Sequence, residues 1–148
     1  MKKDVQWKYP EAIIECDWLH DQIRNPIVRV YDCTTYLHYT DDHPLKPYDV
    51  ESGLADYEKA HIPKAAFLDL QRDLSDESSL YRFTLPNLYE LAESFKRLGI
   101  GDPYHIILYS RTGMQWATRI WWLLRIAGFD NASVLDGGLT KWKLEQRV

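Results

Sequence analysis

Only two cysteines, Cys16 and Cys33, occur in the 148 residues. Two are too few for a disulfide framework, and neither sits near histidines at the spacing of a metal site, so no metal is expected. Long apolar runs are missing as well. The longest block, Ile120-Trp121-Trp122-Leu123-Leu124, has five residues, far short of the roughly 20 that a membrane-crossing helix needs. Met1-Lys2-Lys3-Asp4 is not followed by an apolar stretch of signal-peptide length, so the default expectation is a cytoplasmic protein without a membrane partner. Positive charge is in deficit: 18 lysines and arginines face 22 aspartates and glutamates, for a net charge of −4. No general basic surface exists for nucleic acid, and an anion would have to be held by a local arginine. Internal repeats and low-complexity tracts are absent.

What is present describes a globular domain. Hydrophobic residues make up 45% and charged residues 27%, and the length suits one domain over residues 1–148 with a substantial core. Six Trp and ten Tyr are expected to fill that core and cover its rim.

The patterning alternates short strands with helices. Ala12 to Cys16 is a short apolar stretch, and a helix is expected from Asp17 to Arg24, stopped by Asn25-Pro26. Ile27-Val28-Arg29-Val30-Tyr31 reads as a buried strand ending at Asp32-Cys33. A polar stretch from Thr34 to about Gly53 reads as a long functional or mobile loop. A short helix over Leu54–Ala60 closes at His61-Ile62-Pro63, and Ala66-Phe67-Leu68 is the next strand. Asp69 to Arg82 is acidic and polar. Pro86 suits the first turn of a helix whose stripe is Leu88, Leu91, Ala92, Phe95 and Leu98, with Gly99 just past its end. A strand over 105–109, a helix over 115–127 closed by Gly128, a strand over 132–135 and a helix over 139–146 with Trp142 inward complete the chain. This order implies an α/β, three-layer domain: a central parallel sheet of about five strands with helices on both faces.

In such sheets ligands sit beyond the carboxyl ends of the strands. The polar loop Ser110-Arg111-Thr112-Gly113-Met114-Gln115 lies at one such end, where a following helix offers unpaired N–H groups and the positive end of its dipole. Asp32-Cys33 and Asp136-Gly137 lie at two others. Arg111 and Arg119 are the candidate anion contacts, Cys33 the alternative thiol, and His38, His43 and His61 the candidate bases. Against these stand plainer roles: Arg111 solvated, Arg119 paired with an acid, Cys33 and Cys16 inert packing residues, and His61 fixing a turn. Asp136-Gly137-Gly138 reads as turn chemistry, and Trp121 and Trp122 as core or domain-contact residues.

Three segments in this order resemble the rhodanese family. Tyr57-Glu58-Lys59-Ala60-His61-Ile62-Pro63-Lys64-Ala65-Ala66 is similar to its aromatic-x-x-x-His-Ile-Pro-Gly-Ala motif, and Leu135-Asp136-Gly137-Gly138-Leu139 with Trp142 to its Asp-Gly-Gly-x-x-x-Trp signature. Between them, Tyr109 to Arg119 occupies the place of the active-site loop and its helix. The resemblance spans residues 14–145. Asp69-Leu70-Gln71-Arg72-Asp73-Leu74-Ser75-Asp76, Thr84-Leu85-Pro86, Trp116-Ala117-Thr118-Arg119 and Trp121-Trp122 resemble the N-terminal half of two-domain thiosulfate and mercaptopyruvate sulfurtransferases. In that family the sulfur-carrying cysteine lies in the C-terminal half. Three positions depart from the pattern: Lys64 where glycine is preferred, Thr34 where many members have arginine, and Ser110 at the cysteine position.

The resemblance implies a non-catalytic N-terminal half, no cofactor, and as partner a second rhodanese domain C-terminal to this one or another protein. The chain alone is then expected to be inactive or nearly so. An alternative is a free-standing, non-catalytic module that binds a small sulfur oxyanion or a protein partner through the 110–115 and 34–53 loops. A third keeps an enzyme, with Cys33 as sulfur carrier. The related phosphatase loop, Cys-x5-Arg, fails at both ends, since residue 116 is Trp.

Overall fold

Alternation along one strand decides how the molecule is layered. Ile106 and Leu108 pack into one apolar cluster, while Ile107 and Tyr109 pack into another on the opposite face of the sheet. A strand buried on both sides must carry helices on both sides. The computed structural model describes residues 8–145 and 147.

In chain order, a 3-10 turn at Pro10–Ala12 leads to β1 (Ile13–Ile14), α1 (Cys16–Gln22), β2 (Val28–Asp32), β3 (Thr35–Tyr39) and β4 (Tyr48–Ser52). Then follow α2 (Leu54–Lys59), β5 (Ala66–Phe67), α3 (Leu70–Asp73) and α4 (Leu88–Arg97). The chain closes with β6 (His105–Tyr109), α5 (Gln115–Ile126), β7 (Ala132–Leu135) and α6 (Gly138–Leu144). The sheet order is β1-β7-β6-β2-β5, and each neighbouring pair is parallel. This is the expected α/β architecture with five parallel strands. Among the described residues no helix is long and apolar enough to cross a membrane.

On one face, Leu91 and Phe95 of α4 and Ala117, Ile120, Leu123 and Leu124 of α5 bury against β2, β6 and β7, with Leu70 of α3 beside them. On the other, Cys16 and Leu19 of α1 meet Leu139 and Trp142 of α6, with Tyr57 of α2 at the margin. A fully buried leucine or isoleucine in these layers contributes about 1.5–3 kcal/mol. Gly99 and Gly128 take positive φ angles of 82° and 91° just past α4 and α5, as expected of helix-terminating glycines.

Three local expectations are corrected. The stretch 34–53 is not a long loop: β3 and β4 form an antiparallel hairpin, with Tyr36 opposite Glu51 and His38 opposite Asp49. Its turn, not its arms, carries Pro44 and Pro47. The polar stretch after Asp69 contains α3, started by the Asp69 carboxylate accepting from the Arg72 N–H at 3.0 Å. Helix α4 starts at Leu88, two residues after Pro86, which lies outside it, because Asn87 caps it by accepting from the Glu90 N–H at 2.9 Å. The expected ends of the first and last helices shift by one or two residues, and Gln146 lies outside the described residues, as does the segment Met1-Lys2-Lys3-Asp4.

Candidate functional site

Strands β2, β6 and β7 all end on the same side of the sheet, and their carboxyl-end loops meet there. The meeting is close. A Cβ added to Gly138, at φ +55°, would lie 2.2 Å from the Ser110 carbonyl oxygen. Only glycine admits both that approach and that backbone conformation. Gly137 precedes it at φ +78°, so the turn chemistry read from Asp136-Gly137-Gly138 serves to press the β7 loop against the β6 loop.

The loop itself follows β6 directly. Ser110 is buried, and its hydroxyl donates to the carbonyl of Gly113. Gly113 takes φ +140°, and Gln115 fills the space a side chain there would occupy. Thr112 is exposed and Met114 half-buried. Helix α5 begins without a side-chain cap at Met114, which leaves its first N–H groups for whatever occupies the junction. Between Ser110, Gly113 and Met114 on one wall and Asp136, Gly137 and Thr140 on the other lies a cavity of about 240 Å³.

Arg111 does not line this cavity with a free cation. Its backbone N–H donates to the Thr34 hydroxyl at 3.2 Å. Its guanidinium donates from Nε to Asp32 Oδ2 at 3.3 Å, and from Nη2 to the Asp56 carbonyl at 3.1 Å and to the Ala60 carbonyl. The other Asp32 oxygen accepts from the Thr34 N–H at 3.0 Å and from its hydroxyl at 2.6 Å. The buried Asp32 carboxylate is thereby satisfied on both oxygens. The solvated Arg111 of the sequence reading is therefore replaced by a tie between the loop, β2 and α2.

The candidate bases do not reach Ser110. His38 pairs with Glu51 at 2.5 Å on the hairpin. His43 Nδ1 accepts from the Leu45 N–H at 3.1 Å in the hairpin turn. His61 Nδ1 donates to the Tyr57 carbonyl at 2.8 Å and its ring stacks on Tyr57, the turn-fixing role expected of it. A hydroxyl that donates to a carbonyl, with no base in contact, has nothing to take its proton and is a poor nucleophile.

The thiols fare no better. Cys33 is fully buried beside Leu68, and burial, reinforced by the Asp32 charge, pushes its pKa well above that of a free thiol. Cys16 is buried against α6, and burial raises its thiol too. Reactive thiolates sit in partly exposed, electropositive surroundings, and neither thiol has them. Among the described residues no three His, Cys, Asp or Glu side chains gather into a metal-holding group.

Arg119 lies one turn further along α5. Nη2 donates to the Phe83 carbonyl at 3.0 Å, and the guanidinium sits 5.0 Å from the centre of the Trp122 ring. The acid partner expected of it is not there among the described residues. Trp121 is half-buried against the core, and its Nε1 donates to the Ala132 carbonyl at 3.0 Å; Trp122 is 44% exposed.

Asp32 was placed only as a strand end at this mouth and Thr34 only as a departure from the family pattern; their hold on Arg111 was not foreseen. An available signal was an aspartate closing an apolar strand: such a buried carboxylate demands a cation, and Arg111 was the candidate at the neighbouring strand end.

A model of the rhodanese-like domain matches residues 15–145. The chain belongs to this family. Thiosulfate/3-mercaptopyruvate sulfurtransferase 2 of Arabidopsis thaliana is 33% identical over 133 residues, 90% of this chain and 36% of the plant protein. Human 3-mercaptopyruvate sulfurtransferase is 33% identical over 137 residues, 88% of this chain and 43% of the human one. The crystal structure of SseA, a 3-mercaptopyruvate sulfotransferase from Escherichia coli, is 28% identical with a TM-score of 0.73, and the match covers 93% of this chain and 49% of that one. This rhodanese-like domain thus spans less than half the length of these relatives, the share expected of one domain in a two-domain enzyme.

Proposed function

We propose that the chain is the N-terminal rhodanese domain of a two-domain thiosulfate/3-mercaptopyruvate sulfurtransferase, with Ser110 at the persulfide-cysteine position and catalysis carried by a second domain C-terminal to it. The observation that carries this reading is the Ser110 hydroxyl. It is buried and bonded to the Gly113 carbonyl, at the head of a loop that otherwise keeps its glycine, its cavity and an uncapped helix start.

Sulfur transfer from thiosulfate begins with a thiolate that attacks the outer sulfur. The S–S bond of the donor breaks, sulfite leaves, and the enzyme keeps a persulfide that an acceptor such as cyanide then removes. A helix N-terminus with cationic neighbours can bring a thiol pKa from ~8.5 to as low as ~3.5–7.5 and so supply the thiolate. A serine hydroxyl without a base supplies no such anion at neutral pH. Arg111 also weighs against the free-standing anion-binding module, because the cation that module needs is held by Asp32 and two carbonyls.

The test is the thiosulfate:cyanide assay on the chain alone. The expected result is no thiocyanate above the uncatalysed blank; turnover comparable to a cysteine-bearing relative overturns the proposal. Ser110→Cys serves as the positive probe, expected to yield a thiol that reacts with thiosulfate to form a mass-detectable persulfide.

A further inference from the structure

Between α3 and α4 lies a polar groove of about 620 Å³ that shares no residue with the cavity beside Ser110. Its volume is within the range of small-molecule sites. One face of α4 supplies Glu90, Glu93, Ser94 and Arg97, and α3 supplies Arg72 and Asp73. Five charged side chains thus face one hollow, and among the described residues none of them is ion-paired. The lysine and arginine pairs are made elsewhere, by Lys59, Arg82, Arg111, Lys141 and Arg147. Glu93 and Arg97 stand one helical turn apart, where such pairs form readily, yet Arg97 Nη2 donates to the Ser94 hydroxyl at 3.1 Å instead. Burial, followed by the Asp69 charge, raises the Asp73 pKa even though Arg72 and Arg97 are close enough to oppose it. Both guanidiniums therefore gather around one partly desolvated carboxyl without bonding to it.

The signs are separated along the groove. Glu90 and Glu93 lie towards the start of α4 and Arg97 at its last position. At 1.5 Å per residue, Glu90 and Arg97 are roughly 10 Å apart along the axis. A guanidinium fork matches a carboxylate, and a glutamate matches an ammonium. A ligand charged at both ends would meet both, but a single amino acid is too short to do so. Extended chain rises about 3.3–3.6 Å per residue, so three residues cover the distance.

We propose that the groove between α3 and α4 binds a short peptide of about three residues with free termini. Glu90 and Glu93 hold its ammonium, and Arg72 and Arg97 hold its carboxylate. Charges already placed across a shared hollow, and not spent on one another, lower the cost of ordering such a ligand.

The experiment titrates the chain with trialanine by calorimetry at low salt. Saturable one-to-one binding is expected, with free alanine, N-acetyl-trialanine and trialanine amide each about tenfold weaker. The double variant Arg72→Gln, Arg97→Gln should bind trialanine about tenfold more weakly, and in Glu90→Gln, Glu93→Gln the acetylated and free peptides should bind alike. Melting curves of both variants are checked first. If either melts early, the blocked peptides carry the comparison, since they leave the protein unaltered. No saturation at millimolar trialanine overturns the proposal. So does binding that end-blocking leaves unchanged, or alanine binding as tightly as the tripeptide. The assignment of the chain as a sulfurtransferase domain stands or falls separately, by the thiocyanate assay.

Discussion

Arg111 Nε stands 3.3 Å from Asp32 Oδ2, with the two side chains only 13% and 0% exposed. The contact joins the loop after β6 to the end of β2, between residues 79 positions apart. Removing one partner strands a buried charge, which costs about 3–5 kcal/mol. Arg111→Met is therefore expected to lower stability by about that amount in urea unfolding. Adding Asp32→Asn should restore part of the loss, because the stranded charge is then gone. A cost for Arg111→Met within about 0.5 kcal/mol, typical of an exposed site, would show that the tie does not hold the loop.

Lys64 takes φ 66° in the turn before β5, and its side chain is exposed. The left-handed conformation costs a non-glycine residue roughly 1–2 kcal/mol, while glycine adds back roughly 0.5–1 kcal/mol through a freer unfolded chain. Lys64→Gly is expected to stabilise the domain by about 0.5–1 kcal/mol. A destabilised variant in chemical denaturation would mean that the lysine makes a compensating contact.

The Tyr36 hydroxyl donates to Asp56 Oδ2 at 2.7 Å, and burial, with the Asp56 bond and charge, pushes its pKa up to about 12. The folded state holds this proton more tightly than the unfolded state, where tyrosine titrates near ~10. Its contribution is complete below pH ~10 and is lost as pH rises toward 12. Ultraviolet titration should show one tyrosinate forming late, and stability should fall across that window. In Tyr36→Phe that share of the fall should vanish; an identical alkaline profile in the variant would remove Tyr36 from the account.

Native protein should show no rapid reaction of Cys16 or Cys33 with Ellman's reagent at pH 8, since both are buried and both thiols are raised by burial. In denaturant both should react at once. Fast native labelling at Cys33 would restore it as a candidate sulfur carrier.

The parallel sheet was legible because β2, β6 and β7 are short stretches dominated by apolar and β-branched residues, separated by segments of helical spacing. The glycines at 99 and 128 punctuate the helices for a local reason, their positive φ. The hairpin was concealed by its polarity. Its alternation is visible afterwards: in β4, Tyr48 and Val50 are half-buried while Asp49 and Glu51 are exposed. The number of charges, prolines and histidines between Thr34 and Gly53 outweighed that short period. At the site, the loop and its serine were readable from position, because strand ends and helix starts are sequence-local. Arg111's tie to Asp32 was not, because nothing in residues 110–115 states where a long side chain will point. Arg119's missing counter-charge was hidden for the same reason, since an absent partner leaves no mark in a sequence.

Strand β1 pairs with β7, Ile13 beside Val134 and Ile14 beside Leu135, so the first strand of the sheet seals the flank of the last. During synthesis this places a constraint on timing. The edge of β7 stays uncovered unless the earliest residues remain free to receive it, and the central strands β2 and β6 likewise wait for one another. Contacts of such long range close late and slow folding, and an open parallel edge invites pairing with a neighbouring chain. The sheet of such a domain can therefore close only after nearly all of it has left the ribosome.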